Sequence, residues 1–397
     1  ESYDWDFGDS SLHGTTKSVD HTFPATGGAY RVTLKEVKAG TTYTTASPVT
    51  FTIPAPPEPP RWMLVGMAST EGQAGAYWRS DVTIYNPSAE QGMALRLAYL
   101  DASKTVKPED LKWAVVILPP LGTKTVVDIL GNGALPDWGL FAANRSGALL
   151  IQGDTLPTNT DPVVVGKTYN TGTAESGTYG LSIPAVRVTE GVRPSSVVAA
   201  SQLIGLRQTD ANYSNLAVVN LRSDDAEVEV KFYNAAGAQI GQPVTYQVGP
   251  YGVQQKNNVL RDVAGYTDPI DSFRAVLTVK RGTGVTAFAS VTDVASKDPI
   301  FIAPQPKSST GYRLPGIIRA AGANNALFRS DVVLYNSSSA ARTATMTYSF
   351  RSSKDTSLTT KVWTVSMAGN QEIDIIDFVK TQLSLPESDD TSYYDSF

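Results

Sequence analysis

The chain has 397 residues, a net charge of −5, two histidines and no cysteine. Without cysteine there are no disulfides, thiolate metal sites or cysteine nucleophiles. With His13 and His21 as the only imidazoles, residues 26–397 hold no Ser-His-Asp triad, HExxH zinc motif or three-histidine centre.

The length predicts two to four domains. A composition 41% hydrophobic and only 18% charged supplies folded cores rather than disorder. The acidic balance and the lack of a basic patch exclude nucleic acid as the expected partner. No apolar run reaches the roughly 20 residues that cross a bilayer, so no membrane insertion is expected from this section.

The first element is "YDWDFGD" at residues 3–9, followed by "HTF" (21–23), Gly27-Gly28 and "YRVTL" (30–34). Aspartates that bond nearby amides, around a glycine free to take unusual backbone angles, make a tight turn. In this order the segments resemble the PKD domain, an immunoglobulin-like β-sandwich of exported bacterial and archaeal surface proteins. Trp5-Asp6-Phe7-Gly8-Asp9 matches its WDFGDG signature, with Ser10 departing at the last glycine, and His21-Thr22-Phe23 matches its HTY element. The resemblance implies that Trp5 and Phe7 enter the core while Asp6 and Asp9 bond turn amides. That turn role is preferred to a calcium site on Asp4, Asp6 and Asp9, because calcium takes six or more oxygens. It also implies that strands normally preceding the motif are missing, so residues 1–53 read as a partial domain and the chain as an internal section of a longer protein.

"PAPPEPP" (54–60) predicts a semi-rigid polyproline spacer. Beyond it the chain repeats itself. "LVGMASTEGQAGAYWRSDVTIYNPSAE" (64–90) aligns without a gap on "LPGIIRAAGANNALFRSDVVLYNSSSA" (314–340), and "NYSNLAVVNLRSDDAEVEVKFYN" (212–234) is a weaker copy. In that copy Asn215 stands for Asp81 and Asp331, and Asn220 for Asn86 and Asn336. A second anchor, Asp128, Asn258 and Asp374, falls 47, 43 and 43 residues after the first. Three β-sandwich repeats are therefore expected at 61–195, 196–308 and 310–397, the last incomplete. So long a period means whole domains in series rather than a solenoid.

Within the repeats "AEVEVKFYN" alternates Val228, Val230 and Phe232 with Glu227, Glu229 and Lys231, the period of a half-buried strand. "WAVVIL" (113–118), apolar on both faces, predicts a central strand. "DIIDFVKTQL" predicts a short helix with Ile376, Val379 and Leu383 on one face and Asp374 as its cap. The expected fold class is all-β: tandem immunoglobulin-like β-sandwich domains in series with short helical connections.

No catalytic pair, cofactor site or metal site is assigned. Asp224-Asp225 and Asp389-Asp390 read as loop residues, and the Arg-Ser-Asp of "RSDV" reads as structural because the middle copy replaces it by Tyr-Ser-Asn. Tyr77, Trp78, Tyr85, Tyr169, Tyr179, Tyr213 and Phe328 are candidates for a glycan platform, although tyrosines in β proteins more often fill strand faces. "NTGTAESGTYG" (170–180) is the candidate contact loop. Asn144, Asn212 and Asn336 sit in glycosylation sequons, which matter only where exported chains are glycosylated.

Together these features predict a non-enzymatic extracellular structural or adhesive protein of the cell surface, a stalk, surface layer or filament subunit. Its expected partners are other copies of itself, head to tail or by strand exchange, other surface proteins, and glycans. The alternative is an accessory polysaccharide- or protein-binding section of a secreted hydrolase, for which a concave row of aromatics and carboxamides would speak.

Overall fold

A computed structural model describes residues 1–23, 28–44, 48–53, 60–72, 76–102, 110–131, 134–135, 144–171, 179–191, 202–304, 311–322, 326–386 and 389–395. The chain divides into two compact units, Glu1–Pro59 and Pro60–Phe397. Residues 54–59 of the proline-rich spacer, and the repeat boundaries at 195–196 and 308–310, lie outside the described residues.

The first unit is one antiparallel sheet of β1 (Ser2–Asp6), β2 (Gly28–Lys38), β3 (Thr41–Thr44) and β4 (Val49–Ile53), with β2 pairing the other three. Phe7 is buried, and the ring of His21 stacks flat on it at 3.8 Å between centroids. Trp5 is only half-buried, against the expectation that it joins Phe7 in the core. Its indole Nε1 instead donates to Thr16 O at 3.0 Å, so the ring holds the loop at its edge.

The second unit opens with β5 (Arg61–Glu71), β6 (Tyr77–Tyr85), β7 (Met93–Asp101), β8 (Trp113–Leu118), β9 (Thr123–Val126), β10 (Arg145–Thr155), β11 (Val163–Asn170), β12 (Tyr179–Pro184) and β13 (Val186–Arg187). It continues with β14 (Gln202–Gln208), β15 (Asn212–Asn220), β16 (Ala226–Asn234), β17 (Gln239–Val248), β18 (Val253–Lys256), a helical turn at Val259–Val263, β19 (Ile270–Arg281), β20 (Val285–Asp293) and β21 (Pro299–Ile302). Last come β22 (Ile318–Ala321), β23 (Leu327–Arg329), β24 (Val332–Tyr335), β25 (Arg342–Ser352), β26 (Thr359–Met367), β27 (Glu372–Ile375), α1 (Phe378–Leu383) and β28 (Tyr393–Asp395).

These strands form the same sandwich three times. One layer is ordered β5-β10-β7-β8, then β14-β19-β16-β17, then β22-β28-β25-β26. The facing layer is β12-β11-β6-β9, then β21-β20-β15-β18, and in the third sandwich β24-β27. The all-β tandem sandwich expected from the sequence is the fold. Among the described residues the third sandwich lacks the two strands that β11–β12 and β20–β21 supply to the others.

Alternation explains most strands. Val228, Val230 and Phe232 are fully buried, while Glu229 faces out beside Lys231 and Lys280. β15 is apolar on both faces because it serves two cores. Leu216 and Val218 enter the second sandwich's own core, and Ala217 and Val219 join Leu64, Ile84 and Leu149 in the first. The expectation of a central "WAVVIL" strand is corrected. β8 is an edge strand whose outward Val115 and Ile117 are 52% and 72% exposed. An apolar run records hydrophobicity, not how many neighbours a strand has.

Candidate functional site

Three side-chain anchors recur in every sandwich. The serine of the repeat accepts from a strand amide: Ala68 N to Ser80 Oγ at 2.8 Å, Arg207 N to Ser214 Oγ at 3.0 Å, Ile318 N to Ser330 Oγ at 2.9 Å. The residue that follows it caps a turn start by accepting at 2.9 Å. Asp81 accepts from Asp128 N, Asn215 from Asn258 N, and Asp331 from Asp377 N. The third anchor is Asp377, then, and not Asp374, which lies within β27 opposite Val333. Asp128, Asn258 and Asp377 share left-handed backbone, with φ of 44°, 43° and 44°, a conformation Asn and Asp tolerate best. Asp377 also accepts from Lys380 N, capping α1. That helix starts at Phe378, so Ile376 lies before it and is exposed, while Val379 is buried.

The last anchor is a buried asparagine. Asn86 donates to Gln91 O and Pro119 O, Asn220 to Asp224 O and Gly249 O, and Asn336 to Ala340 O and Ala368 O. Each also accepts an amide two residues on. Asn336 is 5% exposed with its amide committed, so a glycan has no room there. Asn144 is exposed and Asn212 half-buried.

The anchors put the three sandwiches in one frame, and the frame shows that they join in the same way twice. Gly66, Gly205 and Gly316 each precede the serine-bound strand residue by two and hold φ of +68°, +74° and +82°. A Cβ on Gly66 would meet Phe288 of the second sandwich at 3.4 Å, and one on Gly205 would meet Val333 of the third at 3.0 Å. The first strand of one sandwich thus packs on the β15-type face of the next.

At the joint of the second and third sandwiches the packing is polar and filled. Arg207 Nη2 donates to Asp331 Oδ2 and Asp374 Oδ2, both at 2.8 Å. Ser272 donates to the buried Glu372, and the Arg274 guanidinium lies 4.5 Å from the Tyr335 ring centroid. Burial pushes the Glu372 and Asp374 carboxyls above their usual range, against the pull of Ser272 on Glu372 and of Arg207 on Asp374.

At the joint of the first and second sandwiches the same positions hold Ala68 for Arg207, Asn215 for Asp331 and Gln255 for Asp374 (Ala217 faces Gln255 as Val333 faces Asp374). With the arginine gone, a cleft of about 860 Å³ opens between the sandwiches. Its lining includes Trp78, Tyr213, Phe288, Gln208, Asn215, Gln255, Asn257 and Asn258. Tyr179 holds the edge of Trp78 at 6.1 Å and 85°. Of the candidate aromatics, then, Trp78, Tyr179 and Tyr213 come together. Tyr77 stacks under Arg79, Tyr169 lies under Lys167 and donates to Asp81, Tyr85 is half-buried elsewhere on β6, and Phe328 is exposed on the third sandwich. Most of the candidate contact loop, residues 172–178, lies outside the described residues.

The remaining polar candidates serve turns. Asp6 accepts from Gly8 N at 2.9 Å, and Asp4 meets His13 Nδ1 at 2.6 Å. Hydrogen bonds from Ser11, then His21, hold the Asp9 carboxyl down to about 2. Among the described residues no group of three or more His, Asp or Glu is placed to hold a metal ion. Asp224 accepts from Thr283, Asp389 from Thr391 and Tyr393, and Asp390 pairs with Lys354.

No protein-family model matches the chain, and a search of curated proteins also finds no match.

Proposed function

We propose that this chain is a non-enzymatic structural and adhesive protein of the cell exterior, a section of a stalk, surface layer or filament, with a PKD-like domain ahead of its sandwiches. One observation carries the reading: the joint between sandwiches is heterologous and used twice. A head-to-tail contact does not close on itself, so it can be extended by any further sandwich of the same kind.

Both halves of that joint are exposed at the ends of the series. Val165 of the first sandwich faces Thr83 as Phe288 faces Ala217, and is 43% exposed. Gly316 of the third has nothing within 4 Å of a Cβ position, beside Leu314 at 55% exposure. The partner in this reading is a second copy, its first sandwich packed on the third sandwich of the copy before it.

Light scattering on the purified chain across concentration tests it. Association is expected, and Val165→Glu or Leu314→Asp should abolish it without unfolding the protein. A chain that stays monomeric at its highest soluble concentration overturns head-to-tail assembly. Separately, a screen against glycans, peptides and esters should give nothing above buffer. A robust activity lost on one Asp or Glu substitution would overturn the non-enzymatic reading.

A further inference from the structure

We infer that the cleft between the first and second sandwiches is a binding site for a neutral oligosaccharide. The inference rests on the adhesive reading only for what the binding is for.

The argument begins with what the cleft replaces. The next joint closes the same space with an arginine bonded to two carboxylates, Arg207 to Asp331 and Asp374. Here Ala68 removes the guanidinium, and each carboxylate is exchanged for a carboxamide, Asn215 and Gln255. Had the space only lost its arginine, two acids, the Asp374 side chain largely buried and Asp331 more exposed, would repel each other across it. The joint instead keeps polar groups without charge. A carboxamide offers both donor and acceptor, the pairing that a sugar hydroxyl presents in return, whereas a carboxylate only accepts.

The charge at the rim is balanced, Asp210 and Asp262 against Arg261 and Lys297, so neither an anionic nor a cationic ligand is favoured. Gln255 and Asn257 are exposed, and Gln255 Nε2 donates to Asn257 Oδ1 at 2.8 Å; among the described residues Gln255 Oε1 and Asn257 Nδ2 have no protein partner. Gln208, also in the lining, is 1% exposed and is held within its own sandwich, its Nε2 donating to Tyr266 O and Asp268 O.

The apolar requirement is met by Trp78, half-buried and braced edge-on by Tyr179, with Tyr213 across the cleft. Flat rings cover the C–H face of a pyranose while the carboxamides of Gln255 and Asn257 reach its hydroxyls; Asn215, which accepts from Asn258 N and donates to Ser290 Oγ, keeps the wall polar. The volume, about 860 Å³, lies in the range of small-molecule sites, roughly 300–1,000 Å³.

The test uses the full chain with a panel of neutral hexasaccharides (cello-, xylo-, malto- and chito-series), titrated by calorimetry and tryptophan fluorescence. At least one series should bind saturably. Ala68→Arg, which refills the space as the next joint does, should weaken that binding at least tenfold, about 1.4 kcal/mol. Trp78→Ala should do the same, and Gln255→Ala should weaken it less. Circular dichroism and urea midpoints verify that each variant folds. No binding across the panel overturns the inference, as does binding that survives both Ala68→Arg and Trp78→Ala. Stronger binding of a polyanionic glycan overturns the neutral assignment. Release of new reducing ends would instead sink the non-enzymatic reading and leave the site standing.

Discussion

Replacing the buried asparagine of the second sandwich, Asn220→Ala, tests whether the anchors hold the repeats. Asn220 is 0% exposed; it donates to Asp224 O and Gly249 O and accepts from Arg222 N at 3.0 Å. Each net hydrogen bond contributes about 1 kcal/mol, and the three bonds are made by a fully buried side chain, so the loss should be about 3 kcal/mol. Asn220→Asp should cost at least as much, because it keeps the shape but turns an acceptor toward two carbonyls. Asn257, exposed and among the described residues bonded through its side chain to Gln255 alone, is the control, and its alanine variant should change stability by less than about 0.5 kcal/mol. Urea unfolding followed by circular dichroism and fluorescence gives the difference as the midpoint shift times m. Asn86→Ala and Asn336→Ala should agree with Asn220→Ala to within about 1 kcal/mol, since their bonding is the same. A loss under about 1 kcal/mol at Asn220 would refute the anchor role.

Two further outcomes follow from the third sandwich, for which Trp363, the only tryptophan after Trp138, is the fluorescent probe. Burial raises the Glu372 carboxyl, so the folded joint binds its proton more tightly than the unfolded chain does. That contribution is whole below the ordinary value of 4.5 and is lost as pH rises through the folded value. Glu372→Gln should therefore match wild type at acid pH and gain on it toward pH 8; a variant that loses ground as pH rises contradicts the buried acid. In addition, among the described residues β24 pairs with β27 alone, whereas β6 and β15 each also pair with β11 and β20 respectively. A nine-residue peptide copying Val285–Asp293 should therefore raise the Trp363 unfolding midpoint and a scrambled peptide should not; equal effects would dismiss β24 as a strand acceptor.

How much of this was legible depends on the range of each interaction. Asp81, Asn215, Asn86, Asn220 and Asn336 could be found because each bonds backbone at a fixed place in its own sandwich, which demands a particular residue type. The third cap was misplaced because "EIDIIDF" offers two aspartates three apart, and equal spacing favoured Asp374. The path from Asp331 to the cap is in fact longer than in the second sandwich, at 46 residues against 43. The β8 error has a different source, since burial on both sides of a strand is decided by neighbours that a local run does not encode. The glycine of "LVGMA", "LIGLR" and "LPGII" was visible in all three copies. Its meaning, a kinked strand touching the next sandwich, was not.

The two joints differ in what one small residue demands of the polar groups around it. Three sandwiches of the same fold, packed by the same strands, meet at two joints that differ at the position of Ala68 and Arg207 and at its two partners, Asn215 against Asp331 and Gln255 against Asp374. An arginine there needs partners, because a half-buried guanidinium without carboxylates would leave charge desolvated. Asp331 and Asp374 meet that need, and burial still holds Asp374 above its ordinary range. The polar set therefore fixes register and fills space more than it adds net stability. Where alanine replaces arginine the carboxylates lose their purpose, and amides keep the surface polar without unpaired charge. The hydrophobic part of the joint, Ala217, Val219, Tyr251 and Phe288 within the first sandwich's core, is left to hold the two sandwiches together. One joint is thereby free to be a cleft because apolar burial beside it carries the contact, while the other, with less shared core, stays filled. Restoring the arginine with its two carboxylates, as Ala68→Arg with Asn215→Asp and Gln255→Asp, should close the cleft and leave both sandwiches folded.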